Sequence, residues 1–351
     1  MEPRRSKQGA ARVLSRINFP LLGLFVTGIL LCQMIWSSLH TPVLTGLANV
    51  PPQHADGKVH IHDMNILTST GQAEQNREKV LVLTPLARFY QEWWDNLVHL
   101  SYPHELVDVG IIVPNNEQGD KVLRDLNVAV AALQTTPQKF RRITILRQDT
   151  PSLSSQSESD RHAMDVQKER RRDMSLARNS LVFTTLQSDT SWVLWLDGDV
   201  SETPATLIQD LSAENKDVLV ANCWQKYTEN GEIKERPYDF NSWVDSDIAQ
   251  NMAESMGQDE ILLEGYSDMA TYRTLMAHLR SPGGDPHVLM ELDGVGGTAL
   301  MVRADVHRDG AMFPPFAFYH LIETEGFAKM AKRLGYTVWG LPNYVVYHYN
   351  E

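Results

Sequence analysis

The segment SWVLWLDGDV, residues 191–200, ends an apolar run on two aspartates separated by one glycine, Asp197-Gly198-Asp199. An unbroken apolar run of this length predicts a strand buried on both faces. Period-two geometry then sends Asp197 and Asp199 to the same side of its exposed end. Two carboxylates so placed repel one another unless a cation lies between them. Mn²⁺ or Mg²⁺ prefers hard oxygen ligands and also binds a diphosphate. Such an ion would neutralise charge on a departing diphosphate, and Gly198 would let the backbone approach the ligand closely. Asp-Gly-Asp is equally the composition of a simple polar turn, and taken alone the turn is the better reading. The strand before it favours a metal and diphosphate clamp.

Other residues extend this chemistry. In RRRDMSLARN, residues 170–179, Arg171, Ser175 and Arg178 share one helix face. Arginine binds phosphate bidentately. A solvated basic face is the better reading for Arg170 and Arg172, whereas for Arg178 and Asn179 a ligand role and a structural role are evenly matched. Thr84 and Pro85, which close an earlier apolar run, join Arg171, Arg178, Asn179, Asp197, Gly198 and Asp199 as candidate cofactor-binding residues. His348, in VVYHYN, could complete a metal shell. A lone histidine there is otherwise unremarkable. Acidic candidates for the sugar or acceptor side are Asp239, Asp293, Glu323 and Glu325. The last two could instead favour the start of a helix. Gly294, Gly296 and Gly297 could make room for a sugar or simply form a turn.

These residues need a frame. Apolar runs predict strands at Lys79–Pro85, 106–114, 142–147, 192–196 and 217–224, and helical spacing predicts helices at 88–100, 121–133 and 161–186. Strands alternating with helices argue for an α/β fold, a mostly parallel Rossmann-like sheet flanked by helices. Residues 152–160 read as a polar loop. After Gln225 the expected loops lengthen and Gly, Pro and aromatic residues cluster, which suggests an acceptor-binding half, since ligands of open α/β sheets bind beyond the strands' carboxyl ends.

Residues 19–39 carry no charge and are about 21 residues long, enough to span a bilayer at about 1.5 Å per residue. The preceding tail, residues 1–18, holds Arg4, Arg5, Lys7, Arg12 and Arg16 against Glu2, so the positive-inside rule keeps it cytoplasmic and sends the rest of the chain to the lumen. Residues 40–78 are polar and read as a stem before a catalytic domain at 79–351. The net charge of −12 argues against nucleic-acid binding. Cys32, in the apolar run, and Cys223, at the end of a strand, are the only cysteines and make no disulfide scaffold.

Taken together, RRRDMSLARN, WVLWLDGDV, RPYDFNSW and the stretch from ELDGVGGTALMVRADV to VVYHYNE resemble the fungal Golgi α-mannosyltransferases of the mannan polymerase complexes, glycosyltransferase family 62 of the Anp/Van/Mnn type. The resemblance implies a GT-A fold, GDP-mannose as donor, Mn²⁺ as metal, and retaining transfer of mannose to N-glycan or α1,6-mannan acceptors. It implies Asp197, Asp199 and His348 as metal residues and Asp239 as a catalytic residue beside the aspartate pair. It also implies homologous mannosyltransferase subunits as partners in a Golgi membrane complex. A largely scaffolding subunit is the alternative, and a metal-dependent phosphohydrolase or nucleotidyltransferase on a similar sheet is another.

Overall fold

The computed structural model describes residues 60–149, 164–266 and 269–350. The expected cytoplasmic tail, the anchor, the first part of the stem and the polar loop at 152–160 lie outside the described residues. Among those described, no helix is long and apolar enough to cross a membrane.

The strands run in chain order as β1 (Lys79–Pro85), β2 (Val107–Pro114), β3 (Arg142–Gln148), β4 (Thr190–Leu196), β5 (Val200–Glu202), β6 (Val218–Glu229), β7 (Glu232–Pro237), β8 (Trp243–Val244), β9 (Thr274–Leu275), β10 (Met290–Glu291), β11 (Ala299–Arg303) and β12 (Val338–His348). The helices are α1 (Gln91–His99), α2 (Glu117–Gln134), α3 (Met164–Thr185), α4 (Leu207–Ala213), α5 (Asp247–Ser255), α6 (Ala304–Arg308) and α7 (Glu323–Arg333). The main sheet has the order β10-β12-β6-β11-β4-β1-β2-β3, with β5 paired to β12 and β7 to β6. Helices cover both faces. Trp93 and Leu97 of α1, Val122 and Leu126 of α2, and Leu207 and Leu211 of α4 share one core with Val80, Val109 and Leu194. Leu181 of α3 and Phe327 of α7 share the other with Leu81, Val193 and Trp195.

The expected α/β fold is present, but the sheet is mixed rather than mostly parallel. From β3 to β4 all pairings are parallel. Then β11 enters antiparallel to both β4 and β6. No crossover helix precedes β11. It is reached through the glycine-bearing segment Gly294–Gly297, so nothing turns the chain back to run parallel. The expected loops after Gln225 are also corrected, because β6 runs on to Glu229 and folds back as β7 through Asn230-Gly231, both at positive φ.

The compact unit begins at Asp63, ahead of the domain start expected at Lys79. Residues 68–78 dock through polar contacts that an apolar-run criterion does not register. The Ser69 hydroxyl donates to the Ser191 carbonyl (2.7 Å), Arg303 donates to the Ser69 carbonyl (2.6 Å), and buried Glu78 accepts from Trp192 Nε1 (2.8 Å).

Strand β12 sets the register of the site. Opposite β6 it loses pairing between Leu341 and Val345. Pro342, which has no N–H to give to a ladder, lies in this bulge, and the side chain of buried Asn222 donates to its carbonyl (2.7 Å). Pairing then resumes to bring His348 opposite Gln225 on β6 and Val200 on β5.

Candidate active site

Asp197-Gly198-Asp199 follows directly on β4. It is a turn, with Val200 N donating to Asp197 O (3.1 Å), and it joins β4 to β5 at the carboxyl end of the parallel half. The aspartates therefore do not continue the strand, and their side chains take different partners. Gly198 packs closely on the end of β1, since a Cβ there would lie 2.5 Å from Leu86 Cδ1 and 3.3 Å from Pro85 O. Thr84 meets the same turn, its buried hydroxyl donating to the Leu196 carbonyl (2.7 Å). The first and fourth strands thus end together, with Thr84, Pro85 and the aspartates at one edge.

Asp199 faces His348, with Nε2 2.9 Å from Oδ2. Because β5 pairs with β12, the two residues are held by backbone as well, Tyr349 N donating to Asp199 O (2.7 Å). The Tyr349 carbonyl accepts from His348 Nδ1 (2.7 Å), which fixes a proton on Nδ1 and leaves Nε2 for Asp199 or a metal. Tyr238 stacks on the imidazole, centroids 3.7 Å apart and planes within 20°. Burial disfavours the charged imidazole, but the hydrogen bond and charge of Asp199 outweigh it and raise the pKa of His348. Burial likewise works against ionised Asp199, and the His348 contact outweighs it to hold that carboxyl below its ordinary value.

Asp197 faces Arg178, whose Nη2 donates to Oδ1 (2.8 Å) while its Nε donates to Glu323 Oε1 (3.2 Å). The guanidinium lies against the edge-to-face pair of Trp195 and Phe313, 5.4 and 5.5 Å from their ring centroids. Glu323 has φ 55°, a strained conformation for a glutamate, at the first position of α7. Burial is the largest influence on Asp197. With the negative charges of Asp199 and Glu323 it outweighs Arg178 and pushes the carboxyl up to about 7. The Nη1 of Arg178 is buried without a hydrogen-bond partner among the described residues.

Two turns before Arg178 on α3, Arg171 donates from Nη1 to Glu325 Oε2 (2.6 Å) and from Nη2 to Asn241 Oδ1 (2.9 Å). Asn241 donates both its backbone N–H and its side-chain amide to Asp239 Oδ1 (2.9 and 3.0 Å). Trp243 Nε1 donates to the second oxygen of Glu325 (2.8 Å). Burial pushes Asp239 upward despite the two bonds from Asn241.

Residues 58–317 match the Anp1 family model. The chain belongs to this family. The mannan polymerase complex subunit MNN9 of Candida albicans is 56% identical over 309 residues, 87% of this chain and 83% of that protein. The mannan polymerase complex subunit mnn9 of Schizosaccharomyces pombe is 53% identical over 316 residues, 89% and 93% of the two chains. A mannosyltransferase from Pyrobaculum calidifontis, solved with GDP-Man and Mn²⁺, aligns over 82% of this chain and 60% of its own at 12% identity and a TM-score of 0.41.

In this member of the Anp1 family, the described structure brings Asp197, Asp199, His348, Arg178, Thr84 and Pro85 to one end of the sheet. No three His, Cys, Asp or Glu side chains among the described residues already form a metal cage, and Asp197 is turned to Arg178. Asn179 is engaged elsewhere, donating to and accepting from the backbone of Phe313 (2.7 and 2.9 Å). Asp293 is tied to Lys332 (2.6 Å) and to Asp245 N (2.9 Å). Tyr238, Asn241 and Trp243 were not singled out from the sequence. Their signal was present in RPYDFNSW, a polar and aromatic cluster around Asp239, but their partners are distant in the chain.

Proposed function

We propose that this Anp1-family chain is a metal-dependent mannosyltransferase subunit of a mannan polymerase complex, transferring mannose from GDP-mannose to N-glycan or mannan acceptors. The observation that carries this reading is the meeting of Asp199 and His348 beside Asp197 at the carboxyl end of β4. Relatives at 56% and 53% identity that bear the name of mannan polymerase subunits support the substrate class and the partners.

The donor set suits Mn²⁺ or Mg²⁺. Asp199 offers a carboxylate oxygen, His348 offers Nε2 with its other nitrogen already fixed by the Tyr349 carbonyl, and the Asp197 carboxyl lies alongside, bonded to Arg178. A divalent ion bound there would neutralise the diphosphate as it leaves. The residues of the chain do the remaining work. Arg178 limits the repulsion among Asp197, Asp199 and Glu323. Tyr238 holds the imidazole plane, and Asp239 presents a carboxylate to the sugar or acceptor side. We expect a GT-A arrangement, and retention by attack on the face the diphosphate leaves, with the leaving phosphate taking the acceptor's proton. A mannosyl-enzyme adduct trapped on a carboxylate would overturn that mechanism. The apolar segment at 19–39 supports a type II anchor in the Golgi membrane, with the catalytic domain luminal.

The deciding experiment incubates the purified complex with GDP-mannose, Mn²⁺ and defined oligomannose acceptors, followed by linkage analysis. Extended glycans support the reading. Nucleotide cleavage without extension points to a hydrolase, and binding of neither GDP nor Mn²⁺ points to a scaffold.

A further inference from the structure

Arg171 and Arg178 lie two turns apart on the same face of α3, as a pair of phosphate ligands would, yet their guanidinium groups are already engaged with protein. Arg171 reaches Glu325 and Asn241, and its side chain is only 11% exposed while that of Glu325 is fully buried. The contact continues without a break. Glu325 takes Trp243 Nε1 on its other oxygen, the Arg273 guanidinium lies 3.6 Å from the Trp243 ring centroid, and Arg273 is itself paired with Asp245 and Glu264. At the opposite end the contact terminates on Asp239. Both donors of Asn241 converge on Oδ1, and Oδ2 is buried without a hydrogen-bond partner among the described residues.

A buried carboxylate oxygen without a donor is costly, so something must hold it in that state. Two features do. Asn241, itself held by Arg171, fixes the other oxygen, and Gly296 packs so closely against Oδ2 that a Cβ at 296 would sit 1.5 Å away, while its N–H is given to Ser242 and not to Asp239. An oxygen that is fixed in place and lacks a donor is prepared for a hydroxyl.

We propose that Arg171 is a positioning residue and not a phosphate ligand: through Asn241, and braced by Glu325, it sets Asp239 so that Oδ2 is kept for a sugar hydroxyl. This deepens the proposed transferase reading and rests on it. The choice of arginine follows. The planar fork reaches a carboxylate and an amide at once, and the single ammonium of lysine does not. A phosphate contact, in contrast, tolerates lysine as a point charge.

The test uses the full complex with GDP-mannose and an oligomannose acceptor, and compares Arg171→Lys, Asn241→Ala and wild type. GDP affinity is measured by calorimetry on the same samples, and the melting temperature is followed. Both variants should lose about 10–100-fold in kcat for transfer, the scale of a group that orients a site residue, with GDP affinity within about twofold of wild type. Asn241→Ala removes no charge and serves as the second variant if Arg171→Lys proves unstable. Normal transfer by both variants, or GDP affinity weakened about tenfold or more in Arg171→Lys, would overturn the positioning role. Wild-type complex that makes no transfer product would overturn the proposed function, and this inference with it, so the two failures are distinguishable.

Discussion

The two halves of the sheet are held in different ways. From β3 to β4, parallel strands built of contiguous apolar residues are covered by helices, and the ion pairs of that half sit at its rim, as in the contact of Arg141 with Asp108 and Asp189. From β11 to β12 the strands are mixed in direction and buried arginines lie between the elements: Arg171 with Glu325, Arg178 with Glu323, Arg273 with Glu264. The first half supplies a rigid edge on which Asp197 sits. The second brings Asp239, Glu323 and His348 to that edge from separate parts of the chain. The fold therefore uses apolar burial where only a platform is needed, and charged networks where side-chain direction matters.

The contrast can be broken in graded steps. The largest effect is expected at the seam, where Asp199→Ala should reduce mannose transfer by more than about 1,000-fold while the melting temperature stays near that of wild type, because the proposed metal ligand is removed and no core volume. Near-normal turnover would dissociate the turn from the chemistry. Next comes Glu325→Ala in the second half. It leaves Arg171 buried without its carboxylate and Trp243 Nε1 without an acceptor, and should cost about 3–5 kcal/mol in urea unfolding. A loss below about 1 kcal/mol would mean the buried network is not what holds this half.

A pH titration sharpens the same contrast. His307 of α6 is buried, donates from Nδ1 to the Ala311 carbonyl and accepts from Trp195 Nε1 on Nε2, so its neutral form is fully satisfied. Burial lowers its pKa from 6.5 to about 4. Below pH 6.5 the unfolded chain takes up a proton that the folded one refuses. Stability should therefore fall as pH drops from about 7 to about 4, by up to about 3 kcal/mol from this group, and His307→Gln should remove that component. An unchanged slope in the variant would exclude it. The smallest effect belongs to the rim of the first half, where Glu105→Ala breaks an exposed pair with Arg77 and should change stability by less than about 1 kcal/mol.

The same division explains what the sequence disclosed. Strands β1 to β4 and the start of β6 were legible because each is an apolar run long enough to stand out from its neighbours. Strands β7 to β10 were not, being short or exposed, and β11 was concealed by the glycines before it. Asp197, Asp199 and His348 stand out in the sequence as candidate ligands, and the fold brings them to one end of the sheet. Arg171 and Arg178 stand out in the sequence as candidate phosphate ligands, Arg178 with a structural role evenly matched, because a sequence shows that a helix face is basic and not what it meets. Glu325 lies 154 residues from Arg171 and Trp243 lies 82 residues from Glu325. No local pattern links them, so only the fold could show that Asn241 and Tyr238 serve Asp239 and His348.

Strand β12 has a consequence for biosynthesis. It runs beside β6, β10 and β5, yet it follows all three in the chain. On the ribosome, β3, β2, β1 and β4 can associate as they emerge, while one edge of β6 waits for a partner that is translated much later. During that interval the polypeptide presents an open strand edge, and Asp199 has no histidine opposite it. The last of the described strands to be translated thus joins the sheet and completes the proposed metal-binding pair in a single event, which makes this interval the one in which a chaperone or a neighbouring subunit has most to protect.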